Sequence, residues 1–364
     1  MSGIVKGRGA LSNAPGRFAQ HVHEPDRDAL AADTDSAEPK RLATTLHVDT
    51  ARSIIARNRS PDLPFDQSLN PYRGCEHGCI YCYARATHSY LDLSPGQDFE
   101  TQIFYKPRAR DLLRAELGAK SYRVSPIALG TNTDPYQPVE RELRATRGIL
   151  ELMLELKHPV TIVTKGSLIL RDLDLLAELA RLELVAVNVS LTTLDHDLKR
   201  RMEPRTAGPE QRLTMIGTLA EAGVPTGVLT APIIPALNDH ELERMLTAAA
   251  ERGASWAGYV LLRLPHEVEE LFVEWLKTHY ADRAEHVLSL IRQMRGGALN
   301  DGAFHSRQHG HGPFAALLKT RFERARRQHG LDREVRLRTS LFAPPRESRP
   351  QLDLWPAVTP RQSE

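Results

Sequence analysis

The sequence predicts an α/β protein whose parallel strands form an open, partial (βα)6 TIM-like barrel, followed by a mostly helical C-terminal extension. Three observations predict it. Strand-like and helix-like segments alternate along the chain. The strand candidates are almost continuously apolar, as strands covered on both faces are. Six such units fill roughly 220 of the 364 residues, short of the ~250 that eight βα units take.

The elements follow in order. Strands are expected at residues 68–72, 126–130, 160–164, 184–191, 226–233 and 256–262. A helix is expected over 139–156, with Leu143, Leu150, Met153 and Leu154 on one side. Leu173, Leu176 and Ala180 stripe the next helix. A third, 210–222, stops at Gly223 with Pro225 beyond. A fourth opens at Asn238 with Glu241 three residues on, the pattern of a capping box. Around residues 61–282, the barrel, lie three flanking regions. Residues 1–60 are polar and aperiodic and read as a largely disordered leader. Residues 283–342 form the basic extension, and residues 343–364, with five prolines, read as a disordered Pro-rich tail.

Composition is that of an ordinary soluble protein, 41% hydrophobic and 26% charged, which excludes collagen, coiled coil and full disorder. No apolar run reaches the ~20 residues that a bilayer requires, and residues 1–20 hold no secretory core, so a cytoplasmic protein without a membrane partner is expected. The net charge of +2 is unremarkable, but residues 283–338 carry 12 Lys/Arg against 5 Asp/Glu. Two readings stand for that run, a solvated helical face and a phosphate-facing patch.

All three cysteines lie within eight residues, in Arg73-Gly-Cys75-Glu-His-Gly-Cys79-Ile-Tyr-Cys82-Tyr83. An odd, clustered set is no disulfide framework and reads as a ligand cluster. Three thiolates on one tight loop hold three corners of an iron–sulfur cube. A [4Fe-4S] cluster normally takes four cysteines, so one iron would stay open to a small-molecule ligand. Gly74 and Gly78 let the loop bend closely around such a core. The competing reading is a closed Cys3His zinc site with His77 or His88 as fourth ligand, in a nucleic-acid-binding module without catalysis.

The spacing C-x3-C-x2-C after the first strand, with Tyr81 before the last cysteine, resembles the radical S-adenosylmethionine (SAM) superfamily over about residues 66–295. Within it the chain is similar to the branch related to spore photoproduct lyase. The resemblance implies a [4Fe-4S] cluster on Cys75, Cys79 and Cys82, with the amino and carboxylate groups of SAM on the open iron. It implies an external electron donor of flavodoxin or ferredoxin type, and reductive cleavage of SAM to methionine and a 5'-deoxyadenosyl radical that abstracts hydrogen. It also implies cofactor contacts. Tyr81 matches the aromatic position beside adenine. Gly130, Thr131, Asn132 and Asp134 match the segment that meets the SAM amino group, and Lys165 matches a lysine on the SAM carboxylate. Ser190 and Thr192 fall where ribose contacts are expected, residues 231–235 near adenine, and Glu203 and Arg205 within reach of SAM. The plainer reading of each polar residue is a capping or loop hydrogen bond. One departure matters: spore photoproduct lyase uses a cysteine near the end of its second strand to return hydrogen to its product, and this chain has Thr131 and Asn132 there. With no spare thiol, Tyr83, Tyr105, Tyr136 and Tyr259 are the candidate hydrogen donors, against packing roles for each.

Two C-terminal features point toward nucleic acid as a partner. Residues 302–314 are rich in Gly and His, and Lys319, Arg321, Arg324, Arg326 and Arg327 follow on a helix. His305, His309 and His311 read as solvated rather than metal-bound. The island Gln351-Leu352-Asp353-Leu354-Trp355 resembles the peptide by which bacterial replication and repair proteins bind the sliding clamp; the alternative is docking on its own domain. A radical SAM enzyme acting on a small molecule or peptide is the remaining alternative.

Overall fold

The computed structural model describes residues 5–19 and 42–345. Ten strands occur among them: β1 Thr45–Val48, β2 Ile55–Arg57, β3 Gln67–Leu69, β4 Tyr72–Arg73, β5 Gln102–Tyr105, β6 Ile127–Leu129, β7 Val160–Thr164, β8 Val185–Ser190, β9 Thr226–Ile233 and β10 Trp256–Leu261. One sheet runs β10-β9-β8-β7-β6-β3-β2, in which every pair is parallel except β2 against β3. The other is a small sheet, β1-β5-β4. The six parallel strands are the expected open barrel. Leu69, Ile127, Leu129, Ile162, Val187, Val189 and Val228 are wholly buried in it, so burial from both sides explains why these strands are largely apolar. The helices between strands, including Ala145–Glu155, Leu173–Arg181, Pro209–Glu221 and Leu242–Glu251, turn leucine, isoleucine and methionine stripes onto that sheet.

Three local expectations are corrected. The strand expected over 68–72 divides, because Pro71 offers no ladder donor: β3 stays in the barrel, while Tyr72 and Arg73 pair with β5. The helix expected over 139–156 divides at Arg144, whose φ is 51°. The buried Glu140 carboxylate accepts from the Thr146 amide at 3.0 Å, supplying an acceptor for the first turn of the second piece. At Asn238 no capping box forms. Its side chain donates to the carbonyls of Thr192 and Pro232 and accepts from the Ile234 amide, tying β8 to β9, while Glu241 accepts from Thr193 and the Leu194 amide.

The flanks are more structured than their composition suggests. Residues 5–19 and 42–60 are placed rather than unstructured, and Arg8, Gly9, Ala10 and Leu11 are buried. The extension contains Ala284–Met294 and Gly312–Gln328, and its backbone covers the free edge of β10: amides of Ala257 and Leu261 donate to the carbonyls of Leu331 and Gln308. A free parallel edge is a liability for pairing with other chains, and this cover removes it. Across the lateral opening, Asp62 of the loop joining β2 to β3 pairs with Arg307 at 2.5 Å and accepts from the His305 amide at 2.7 Å. The opening therefore carries a polar clasp. Among the described residues no helix is long and apolar enough to cross a membrane.

Candidate active site

The cysteine loop leaves the small sheet at Arg73 and lies at the C-terminal ends of the barrel strands. Cys75 and Cys79 are buried, Cys82 is partly so, and all three are free thiols. Burial pushes each thiol up, Cys79 to about 12, and neighbouring thiols reinforce this at Cys75 and Cys79. A trio of crowded, desolvated thiols is the kind of site in which thiolates persist only as metal ligands. Several residues that sequence reasoning missed hold the loop. Gln137 accepts from the Glu76 amide and donates to the Gly74 carbonyl. The fully buried Arg85 donates to the carbonyls of Cys79, Pro95 and Gly96 and pairs with the equally buried Glu100. Glu100 also receives the amides of Gly9 and Ala10, so the N-terminal segment lies directly on the loop. A Cβ on Gly9 would fall 1.9 Å from the Gly78 carbonyl oxygen, which leaves glycine as the residue that fits. Only long-range pairing joins these groups, and no local signal in the sequence reports it.

Around the loop stand the strand-end residues. After β6, Gly130 has φ +84°, and a Cβ there would meet the Val163 carbonyl oxygen at 2.1 Å; glycine is required on both counts. Asn70, also missed, closes the end of β3: its Oδ1 accepts from the amides of Asn132 and Thr133, and its Nδ2 reaches Thr131 Oγ1 at 3.4 Å. Asp134 accepts from the Thr164 hydroxyl and the Lys165 and Tyr136 amides and lies 3.3 Å from His77 Nδ1. Burial works against its charge, but His77 and these donors hold its carboxyl at about 2. Ser190 is buried, and its carbonyl accepts from Arg212.

Glu203 joins several predicted residues. It accepts from Tyr81 and from Thr192 at 2.8 Å, and pairs with the buried Arg212. Burial would raise its carboxyl, yet Arg212, Lys165 and the Tyr81 hydroxyl hold it down at about 2. Lys165 sits 5.9 Å from the Tyr81 ring centre and is kept charged, against its burial, by Cys79 and Glu203. Arg205 instead turns to Glu76 at 3.1 Å, and its amide donates to the His77 carbonyl. The structure thus brings Tyr81, Lys165, Thr192 and Glu203 into one group, and engages Asp134, Glu203 and Arg205 with the protein itself.

Of the four tyrosines, Tyr83 alone reaches the strand-end rim, donating to the Thr131 carbonyl. Tyr105 pairs with β4, Tyr136 lies in the core, and Tyr259 packs on Phe322 and His309. His305 and His311 are exposed.

A short loop bearing three free thiols, two of them buried, at the mouth of a parallel-strand barrel defines a protein built to hold a metal cluster with one uncapped iron. The two histidines of the zinc alternative are each engaged with the protein through one ring nitrogen. His88 Nε2 is within 3.0 Å of the Gln102 carbonyl oxygen and His77 Nδ1 faces Asp134.

The comparisons agree. The profile of the Radical SAM superfamily matches residues 69–249. An uncharacterized protein of Mycobacterium tuberculosis is 39% identical over 260 residues, 70% of this chain and 76% of that one. One of Methanocaldococcus jannaschii is 29% identical over 173 residues, 48% and 62% of the two chains. Among solved structures, a spore photoproduct lyase variant superposes with a TM-score of 0.57 at 15% identity, covering 79% of this chain and 80% of that one. A second variant, with bound AdoMet and dinucleoside spore photoproduct, gives 0.58 at 14% identity over 78% of each. The chain belongs to the radical SAM superfamily and shares the spore photoproduct lyase fold. It is an enzyme of that class, using a [4Fe-4S] cluster and SAM.

The expected phosphate-facing arginines are largely engaged within the protein. Arg295 donates to the carbonyls of Leu262 and Ser306, and Arg307, Arg321, Arg326, Arg336 and Arg338 pair with Asp62, Glu243, Glu323, Glu334 and Glu183. Arg292, Lys319, Arg324 and Arg333 stay exposed. Residues Gln351, Leu352, Asp353, Leu354 and Trp355 lie outside the described residues.

Proposed function

We propose that the enzyme acts on a nucleic acid, abstracting hydrogen from a nucleotide held over the barrel mouth. Cys75, Cys79 and Cys82 would hold the cluster, which supplies the electron that cleaves SAM. Lys165, Tyr81, Thr192 and the loop 130–134 are the contacts proposed for SAM, with Glu203, Asp134 and Arg205 fixing those contacts from behind. Ser190 supports this wall through its backbone. The observation that carries the reading is the rim itself: it presents cations and the half-exposed ring of Tyr83 beside the cysteine loop, the combination that serves phosphates and bases. The fold shared with a lyase whose solved complex contains a dinucleoside supports it.

No thiol is left over once three cysteines bind iron, so hydrogen returned from this side would come from Tyr83. The electron donor is proposed to be a flavodoxin or ferredoxin, in a cytoplasmic setting. The test is anaerobic incubation with SAM and dithionite, following 5'-deoxyadenosine with and without single-stranded oligonucleotides. Stimulation by oligonucleotide, and deuterium transfer into 5'-deoxyadenosine from an oligonucleotide deuterated in its nucleotides, are expected. Equal yield with and without oligonucleotide, together with stimulation by peptides or small metabolites, would overturn the reading. We also propose that Gln351–Trp355 binds a bacterial sliding clamp; equal clamp recovery by the wild type and a Leu354→Ala/Trp355→Ala variant would remove that.

A further inference from the structure

Two cation–tyrosine pairs flank Cys82. On one side Lys165 faces Tyr81, inside the group formed with Glu203 and Thr192. On the other, the guanidinium carbon of Arg263 lies 5.8 Å from the ring centre of Tyr83. Arg263 follows β10, so it stands on the rim formed by the strands' C-terminal ends, where barrel enzymes place their substrate-handling groups.

Arg263 differs from its neighbours in what it lacks. Arg307 is matched by Asp62, and Arg295 by backbone carbonyls of Leu262 and Ser306. Among the described residues no carboxylate or carbonyl accepts a hydrogen bond from Arg263, and its Nε is buried without a partner. Burial and the like charge of Arg307 press its pKa downward. A desolvated guanidinium with an unused donor is a standing cost in the free protein, removed when an oxyanion meets it. The planar fork suits two oxygens of a phosphate. Tyr83, about half exposed, leaves ring surface beside it on which a base can stack.

We propose that Arg263 is an oxyanion-binding residue of the substrate site, taking one phosphodiester group of the nucleic acid while the adjoining nucleotide lies over Tyr83. This rests on the nucleic-acid reading and deepens it. Lys165 then serves the carboxylate of SAM on the enclosed side of Cys82, and Arg263 serves the substrate on the open side.

The test uses the full chain with its cluster reconstituted. Binding of a fluorescent 12-nucleotide single strand is measured at several salt concentrations for the wild type, Arg263→Ala and Arg263→Lys, with SAM affinity by equilibrium dialysis and the urea midpoint alongside. Arg263→Ala should weaken oligonucleotide binding about tenfold, the loss of one charge-assisted contact. It should also flatten the slope of log K against log salt by about 0.7, the value for one phosphate on a single strand. Arg263→Lys should keep the slope and part of the affinity. SAM affinity should be unchanged, and the urea midpoint unchanged or higher, since an unmatched charge has been removed. Salt-dependent binding by the wild type that Arg263→Ala leaves intact would overturn this inference while leaving the nucleic-acid reading standing. A parallel loss of SAM affinity would overturn it in favour of a cofactor role. Absence of any salt-dependent binding by the wild type would overturn both.

Discussion

Replacing Arg212 with methionine tests whether the buried pair with Glu203 organises the SAM wall. Arg212 is 1% exposed and Glu203 0%. The guanidinium donates to the carbonyls of Ala207 and Ser190, each at 3.0 Å, as well as to Glu203 and the Thr206 hydroxyl. Methionine keeps much of the volume but leaves the carboxylate buried with Lys165 as its remaining cation, a change that costs about 3–5 kcal/mol when one member of a buried pair is removed. The titration of Glu203 points the same way. Against its burial, Arg212, with Lys165 and the Tyr81 hydroxyl, brings its carboxyl from an ordinary 4.5 down to about 2, a stabilisation of the charged form. Because the folded state binds this proton more weakly than the unfolded chain, that stability is complete above about pH 4.5 and is lost as pH falls toward 2. Urea unfolding of the apoprotein at neutral pH should show a loss of several kcal/mol for Arg212→Met. Part of it should be recovered in Arg212→Met/Glu203→Gln, where the carboxylate no longer stands without its guanidinium, although Lys165 then lacks Glu203. A single variant within about 1 kcal/mol of wild type, the size of an ordinary surface change, or a double variant no better than the single, would refute the reasoning.

Other expectations follow from the same geometry. Each of Cys75→Ala, Cys79→Ala and Cys82→Ala should lose bound iron and acid-labile sulfide together, measured after anaerobic reconstitution, along with all 5'-deoxyadenosine formation. Gly130→Ala places a Cβ 2.1 Å from the Val163 carbonyl oxygen at φ +84° and should destabilise by about 2 kcal/mol or more in urea. Asn70→Ala strands the amides of Asn132 and Thr133 at about 1–3 kcal/mol, and should weaken SAM binding by dialysis. Arg307→Ala removes the partner of the Asp62 carboxylate across the lateral opening; faster hydrogen exchange in residues 58–66 and 302–311 is the expected sign.

What the sequence made legible was what local pattern can encode. Mostly apolar runs announced the six parallel strands, because burial on both faces leaves few polar positions, and three clustered thiols announced the metal loop. Pro71 and Arg144 set their breaks through local backbone geometry that hydrophobic periodicity averages away. Asn70, Gln137, Arg85 and Glu100 escaped notice because their roles rest on partners distant in sequence, as in the pairing of Glu100 with the amides of Gly9 and Ala10. Charge counting overstated the extension for a related reason: a tally of arginines does not register that Glu243 or Asp62 already meets them in space. The family resemblance named Tyr81, Lys165, Thr192 and Glu203 one by one, whereas their meeting around the Glu203 carboxylate depends on contacts across the fold.

The lodging of Arg8, Gly9 and Ala10 against the cysteine loop bears on how this enzyme is prepared and matured. A fragment trimmed to the barrel would lack one wall of the iron cage, leaving Glu100 and Arg85 facing water where backbone amides now sit. Iron loading is therefore expected to fall when the residues that precede the first barrel strand by more than fifty positions are removed, and a bulky fusion placed there is expected to be felt at the metal.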